Sequence, residues 1–359
     1  MKAVSRKALE GYFQEFWGVK RVLAAKSMGT GAHGEGWLVR TEGDTGEAGE
    51  FVIKAVRPAG LGHDYPSDRA GMFLLALDTY NSLPNHVKAL DVISLRPDGS
   101  LKSAGAGRDY YLLMHRAWGK NYFEDLESMS TREKLGAGDV LKIDRMVSYL
   151  AGIHSIRKTS RDLYLRRLRD VIGHGECLMG VFDSYPGGVL APGEMAEIEK
   201  KCIDWRAKLK SGSFYRRLSC VHGDFHPGNI RFKRTGKGLK ALDIVLLDRS
   251  RGPWGEPADD VTALAINYIF FSVRVHGRMK GAYLEAFKRF WRRYMKETGD
   301  SALPSVVAPF FAFRGAVVAN PAFYPELSRE GRLLIFRFVN RVLDSPEFDP
   351  ARVDEYLSS

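Results

Sequence analysis

The sequence predicts an α+β fold in two lobes, β-rich on the N-terminal side and mainly helical beyond it. Three observations predict it. Short apolar runs alternate with glycine- and acid-rich turns up to about residue 116, and apolar residues at helical spacing dominate from about residue 117 onward. Inside that helical part, residues 218–248 return to loop and strand texture. At 359 residues and 45% hydrophobic content the chain is too long for one simple domain. It has ample apolar material for a core, which excludes a disordered chain. The division is expected as 1–116 and 117–359.

Residues 5–17 carry Leu9, Phe13, Phe16 and Trp17 at helical spacing and read as an amphipathic helix. Glycines then cluster at 29, 31, 34 and 36 before WLVR, followed by the turn TEGDTGEAGE and the run FVIK. Two strand-like runs around such a turn indicate an antiparallel hairpin. Residues 68–81 read as a helix, and 87–95 and 110–114 as strands. Beyond Gly119, helices are expected at 142–158, 161–183 and 194–210, with the first showing an apolar stripe at 143, 146, 147, 150, 153 and 156. From Asp259 the pattern is helical to the end.

The formal net charge is +11, with a pI near 9.4, which favours anionic partners. The Lys and Arg residues are scattered rather than arranged as a basic stripe interleaved with aromatics, so no nucleic-acid partner is expected. The three cysteines, 177, 202 and 220, form no CxxC pair and are odd in number. That excludes a complete disulfide framework and points to reduced thiols in a cytoplasm. The N-terminal residues lack an apolar run of signal-peptide length, and the most apolar segment, 261–275, is short for a membrane span. No membrane partner is expected.

The densest chemistry is HGDFHPGNI, with His222, Asp224, His226 and Asn229 within eight positions and Gly223, Pro227 and Gly228 shaping a loop. Nineteen residues after Asn229, Asp248 ends the apolar run IVLLD. Phosphoryl transfer needs one carboxylate to take or orient the proton of an attacking hydroxyl, and hard oxygen ligands for Mg2+. Asp224 suits the first task, Asn229 and Asp248 the second. His-x-Asp-x-His is also a ligand set for a hydrolytic transition metal. Gly223 and Pro227 argue against the regular strand that would align those three side chains.

VHGDFHPGNI followed by LLD resembles the catalytic loop and metal-binding strand end of the aminoglycoside phosphotransferase and choline kinase group, which has a protein-kinase-like fold. The resemblance implies a small-molecule kinase using ATP or another nucleoside triphosphate with Mg2+. It makes Asp224 the base, Asn229 and Asp248 the metal ligands, and a small hydroxyl compound the acceptor. It spans roughly residues 19–275. Gly29, Gly31 and Gly34 fit G-x-G-x-x-G, and the strands that follow suit a glycine hairpin over phosphates. Lys54, ending FVIK, would touch the α- and β-phosphates. The helix after it has no Glu, which departs from the family pattern; Asp68, or Asp64, is the substitute partner. YYLLMHRAWG resembles the segment that receives adenine. Met114 would lie behind the base, with the His115 carbonyl and Ala117 N–H bonding its edge. The family also suggests His154 as a buttress and Asp260 as a prop for the loop, with Asp259 expected as a helix cap. Arg314, Asn320 and Tyr324 read primarily as helix packing, secondarily as acceptor contacts. A nucleotide-binding module without catalysis is the alternative function.

Overall fold

A computed structural model describes residues 4–30, 34–57, 66–103, 109–238, 241–249 and 251–358, with the side chains of Thr30, Ser67, Asp68, Asp109 and Tyr110 outside the description. The chain forms two compact units, Met1–Trp118 with Val245–Ser250, and Gly119–Ile244 with Arg251–Ser359. The sequence suggests a single cut after residue 116. The N-terminal unit instead runs to Trp118 and takes in the six residues that carry Asp248.

The first unit contains α1 (Arg6–Trp17), β1 (Arg21–Thr30), β2 (Gly34–Glu42), β3 (Ala48–Val56), α2 (Pro66–Tyr80), β4 (Ala89–Leu95), β5 (Leu101–Ser103) and β6 (Asp109–His115). Its strands form one antiparallel sheet in the order β1-β2-β3-β6-β4-β5. The run YYLLMH is apolar on both sides because both faces of the sheet are covered. Tyr111 and Leu113 pack with Leu9, Tyr12 and Phe13 of α1. Leu112 and Met114 pack with Phe73, Ala76 and Tyr80 of α2. Helix α1 starts where the Ser5 hydroxyl accepts from Ala8 N at 3.1 Å. In register, Lys54 lies between Gly36 of β2 and Leu112 of β6.

The second unit begins with β7 (Lys120–Asn121) and α3 (Tyr122–Glu127), followed by α4 (Ala137–His154), α5 (Arg161–Gly173), α6 (Leu178–Asp183), α7 (Pro192–Lys210) and β8 (Ser219–Cys220). Then come β9 (Ile230–Arg234), β10 (Leu242–Leu246), β11 (Trp254–Gly255), α8 (Pro257–His276), α9 (Gly281–Thr298), α10 (Ala308–Ala319), α11 (Arg329–Asp344) and α12 (Val353–Leu357). Strand β9 pairs with β7 and β10, and β8 with β11. Helix α8 is buried on every side from Pro257 to Val273, and α9, α10 and α11 pack against it. The apolar run 261–275 is therefore a core helix; among the described residues no helix is long and apolar enough to cross a membrane.

Two helices differ from the sequence expectation. The single helix over 161–183 is broken at 174–177: His174 leaves the helix with extended backbone, and α6 restarts after Cys177. The break lets Gly180 lie against Gly175, where a Cβ would collide with the Gly175 carbonyl. The helix placed at 142–158 is α4, which starts five residues earlier and ends at His154.

Candidate functional site

Each unit carries its own set of candidate residues. In the first unit, Gly29 closes β1 with φ of +104°, a conformation that favours glycine, and Gly34 opens β2 so near β3 that a Cβ would collide with the Ala55 carbonyl oxygen. Gly31 lies outside the described residues. The half-buried Lys54 reaches the carboxylate of Asp248 with its amine. Asp248 has φ of +56°, which turns the chain out of its strand and directs the carboxylate to that lysine. Tyr80, the last residue of α2, is 3.4 Å from the same carboxylate oxygen through its hydroxyl.

The neighbouring Arg249 is fully buried and donates to Thr79 O at 3.0 Å and Ser82 Oγ at 3.2 Å. It fixes the segment bearing Asp248 to the C-terminal end of α2. Neither Tyr80 nor Arg249 is evident as a site residue in the sequence, although a charged residue directly after LLD is a usable signal. Asp68 lies in the first turn of α2, and its side chain, like the whole of Asp64, is outside the description. The described partner of Lys54 is thus Asp248.

Met114 is buried in the sheet core beside Val52, its ladder partner. His115 is exposed and its ring stacks on Phe51 at 6.3 Å, while Ala117 is half-buried. Between and beyond them, Arg116 pairs with Glu50 at 3.1 Å and lies 3.7 Å over the ring of Trp118. This lends the segment after β6 a fixed course.

In the second unit the loop 222–229 is held from below by one carboxylate. Asp260, in the first turn of α8, accepts from His222 N and Gly223 N, both at 2.7 Å. Its Oδ2 is also 3.1 Å from His154 Nε2, whose Nδ1 is 2.7 Å from the Tyr294 hydroxyl. Burial would raise the Asp260 pKa, but the hydrogen bond and charge of His154 hold it below the ordinary range. His154 and Asp260 thus do act on the loop from behind. Asp259 is not the cap of α8; Glu256 is, because Pro257 occupies the first helical position. Asp259 is fully buried between Arg167 and Arg314, 2.6 Å from the latter.

Asp224 is the most engaged group of the loop. Arg314 Nη1 is 2.5 Å and Arg251 Nη1 2.9 Å from its Oδ1. Asn229 donates from Nδ2 to the Asp224 carbonyl at 3.0 Å and to its Oδ2 at 3.4 Å. Burial alone would push the Asp224 pKa up, but Arg251, His226 and Arg314 together hold it well below the usual carboxylate range. It is an anion at neutral pH. Arg314, expected chiefly as helix packing, is therefore a direct partner of Asp224. Asn320 is the packing residue of the pair, bonded to Ser184 Oγ at 2.9 Å.

The donor chemistry fits a hard cation and opposes a transition metal. In the second unit Asn229 turns its amide nitrogen to Asp224, so the hard oxygen Oδ1 is the atom of that amide suited to a cation, and in the first unit Asp248 carries a carboxylate. Among the described residues no three His, Cys, Asp or Glu side chains gather to hold a metal. His222 Nδ1 accepts from Asp224 N and His226 Nδ1 from Gly228 N, at 3.3 and 3.2 Å. The two guanidinium groups on Asp224 repel a cation from that carboxylate, so the hydrolytic metal reading has no support in this loop.

No family model and no curated protein matches the sequence. Solved structures do match the fold. An ethanolamine kinase of Plasmodium vivax superimposes with a TM-score of 0.52 at 10% identity, over 96% of this chain and 84% of that one. The GDP complex of aminoglycoside 2'-phosphotransferase-IIIa gives a TM-score of 0.50 at 10% identity, over 95% of this chain and 99% of the other. The chain has the protein-kinase-like α+β fold of these phosphotransferases, with a β-rich N-terminal unit and a mainly helical C-terminal one.

Proposed function

We propose that the chain is a phosphotransferase that moves the γ-phosphoryl group of ATP, or another nucleoside triphosphate, to a hydroxyl of a small molecule. The observation that carries this reading is the ionised Asp224, fixed by Arg314, Arg251 and Asn229 in the HGDFHPGN loop of a kinase-like fold. Its fold neighbours, an ethanolamine kinase and an aminoglycoside phosphotransferase bound to GDP, support the class of reaction and the use of a nucleotide.

In this reading Asp224 accepts a hydrogen bond from the acceptor hydroxyl and takes its proton as the oxygen bonds to the γ-phosphorus. The bond from that phosphorus to the β,γ-bridging oxygen breaks, and the nucleoside diphosphate leaves. A carboxylate with so low a pKa is a weak base, which suits a loose transition state in which positioning outweighs proton abstraction. Lys54 holds the α- and β-phosphates, and Gly29, Gly31 and Gly34 offer backbone N–H groups to them. Met114, His115 and Ala117 take the base, and Asp68 stays the candidate second partner of Lys54. Asn229 and Asp248 would hold Mg2+, which when bound would supply charge neutralisation at the phosphates. The three buried thiols agree with a cytoplasmic setting.

The test is nucleoside diphosphate release from ATP and Mg2+ over a panel of alcohols and sugars, for the wild type and Asp224→Asn. Acceptor-dependent release that falls at least about a hundredfold in the variant is expected. ATP binding with no release on any hydroxyl compound would instead identify a nucleotide-binding module.

A further inference from the structure

The arginines around Asp224 bear on what the acceptor is. Three guanidinium groups converge on one backbone carbonyl: Arg167 Nη2, Arg251 Nη1 and Arg314 Nη2 lie 3.4, 3.0 and 3.1 Å from Gly223 O. A carbonyl has two lone pairs, so it cannot satisfy all three well. The carboxylates that touch this cluster are already engaged. Asp224 faces Arg251 and Arg314, and Asp259 faces Arg167 and Arg314. Asp260 is taken by His154 and two backbone N–H groups. The Nε atoms of Arg167, Arg251 and Arg314 are all buried without a partner among the described residues.

The site is thus short of acceptors and rich in donors. Such a surplus of guanidinium donors favours an oxyanion as ligand, met where the cluster is open rather than at its buried Nε atoms. The accessible edge of the cluster is the Asp224–Arg251 pair, whose side chains are 18% and 13% exposed, against 5% for Arg314. Arg251 meets both Asp224 and Gly223 through Nη1 alone. The ring of Phe313 lies 5.4 Å from its guanidinium and 4.6 Å from that of Arg314. The field of Glu176 also reaches Arg251, from a half-buried position outside these contacts. An ammonium group placed beside Asp224 would compete with two arginines for one carboxylate, whereas a carboxylate or phosphate would meet Arg251 directly.

We propose that the acceptor is a small hydroxyl compound carrying an oxyanion, a sugar acid or sugar phosphate rather than an amine, with Arg251 holding the anionic group beside the hydroxyl that faces Asp224. This rests on the phosphotransferase reading for the hydroxyl but not for the anion. The overall charge of +11 draws such a ligand in.

The experiment titrates the full chain by calorimetry with gluconate, glucose 6-phosphate, glucose and glucosamine, and follows ADP release from ATP and Mg2+ with the same four. Saturable binding of gluconate or glucose 6-phosphate is expected, with glucose and glucosamine weaker by about tenfold or more. The two anions separate a carboxylate from a phosphate preference. Arg251→Gln is expected to remove that advantage and Arg251→Lys to keep part of it. Glucosamine bound as tightly as the anions, no binding of either anion, or unchanged anion binding in a folded Arg251→Gln variant overturns the proposal. Should that variant unfold, the wild-type ranking and Arg251→Lys decide. ADP release with glucosamine alone leaves the kinase reading intact and removes the anion site. Anion binding without ADP release on any acceptor does the reverse.

Discussion

Arg314 donates to Asp224 at 2.5 Å across ninety positions of sequence, and through its other terminal nitrogen to Asp259 at 2.6 Å. One guanidinium thereby joins α10 to the loop 222–229 and to the first turn of α8.

Removing it strands two carboxylates. In Arg314→Met, Asp259 keeps Arg167 as its one arginine and Asp224 keeps Arg251 as its one arginine, inside a site where Arg314 and Asp259 are almost wholly buried. Breaking such a buried pair costs about 3–5 kcal/mol. Urea unfolding is expected to show a loss of that order, and Arg314→Lys an intermediate one, because an ammonium cannot span both carboxylates. A loss below about 1 kcal/mol in the Met variant would show that the bridge is not a stability element.

Acid stability follows from the same contacts. The folded pKa of Asp224 is depressed well below the unfolded value of about 3.9, and that of Asp260 is also lowered. Their stabilising contribution is therefore complete above pH about 4 and is lost as pH falls towards the folded values. Denaturation midpoints measured from pH 7 to pH 3 should stay level with respect to these groups and then drop. Asp224→Asn should be less stable at pH 7, where Arg251 loses its paired carboxylate and Arg314 keeps only Asp259, yet lose less on acidification. An acid slope as steep as that of the wild type would contradict the assignment.

What the sequence reveals divides along physical lines. The HGDFHPGN loop is legible because its shaping glycines and proline stand beside its chemistry, and β6 is legible because a sheet covered on both faces needs an unbroken apolar run. The break at 174–177 is hidden, since Leu178, Val181 and Phe182 continue the apolar spacing and the close approach of Gly180 to Gly175 is a tertiary fact. Asp259 looks like a cap because Asp is common at helix starts, whereas Pro257 moves the cap to Glu256. Arg314 carried a signal: a lone charge in the apolar run FFAFRGAVVA must have a buried counter-ion. Arg251 and Arg249 carried less, because an arginine after a strand is ordinarily solvated.

Asp248 combines the carboxylate proposed as a metal ligand with a left-handed backbone, and substitutions can separate the two. Its φ of +56° suits Gly or Asn better than Ala. Asp248→Gly and Asp248→Asn are expected to unfold at higher urea than Asp248→Ala, by about 0.5–1 kcal/mol. All three should lose the carboxylate's role alike, seen as weaker Mn2+ binding in the presence of nucleotide by electron paramagnetic resonance. Undiminished Mn2+ binding in all three would remove Asp248 from the metal site while leaving the backbone argument standing.

Asp260 offers the sharpest separation of charge from shape. Its two oxygens satisfy the N–H groups of His222 and Gly223, and Gly223 holds φ of +86° directly before the candidate base. Asp260→Ala leaves both donors buried and unpaired, each costing about 1–3 kcal/mol. The loop should then lose its fixed shape, so that turnover falls while ATP binding to the glycine hairpin and Lys54 changes little. Asp260→Asn keeps one oxygen acceptor and places an amide where His154 and the loop N–H groups expect a carboxylate. It should recover part of the stability and less of the turnover. Amide hydrogen exchange at His222 and Gly223 reads the difference directly: fast exchange in the Ala variant and intermediate exchange in the Asn variant are expected. Protection equal to the wild type in Asp260→Ala would mean that the loop is held by its arginines and not by α8.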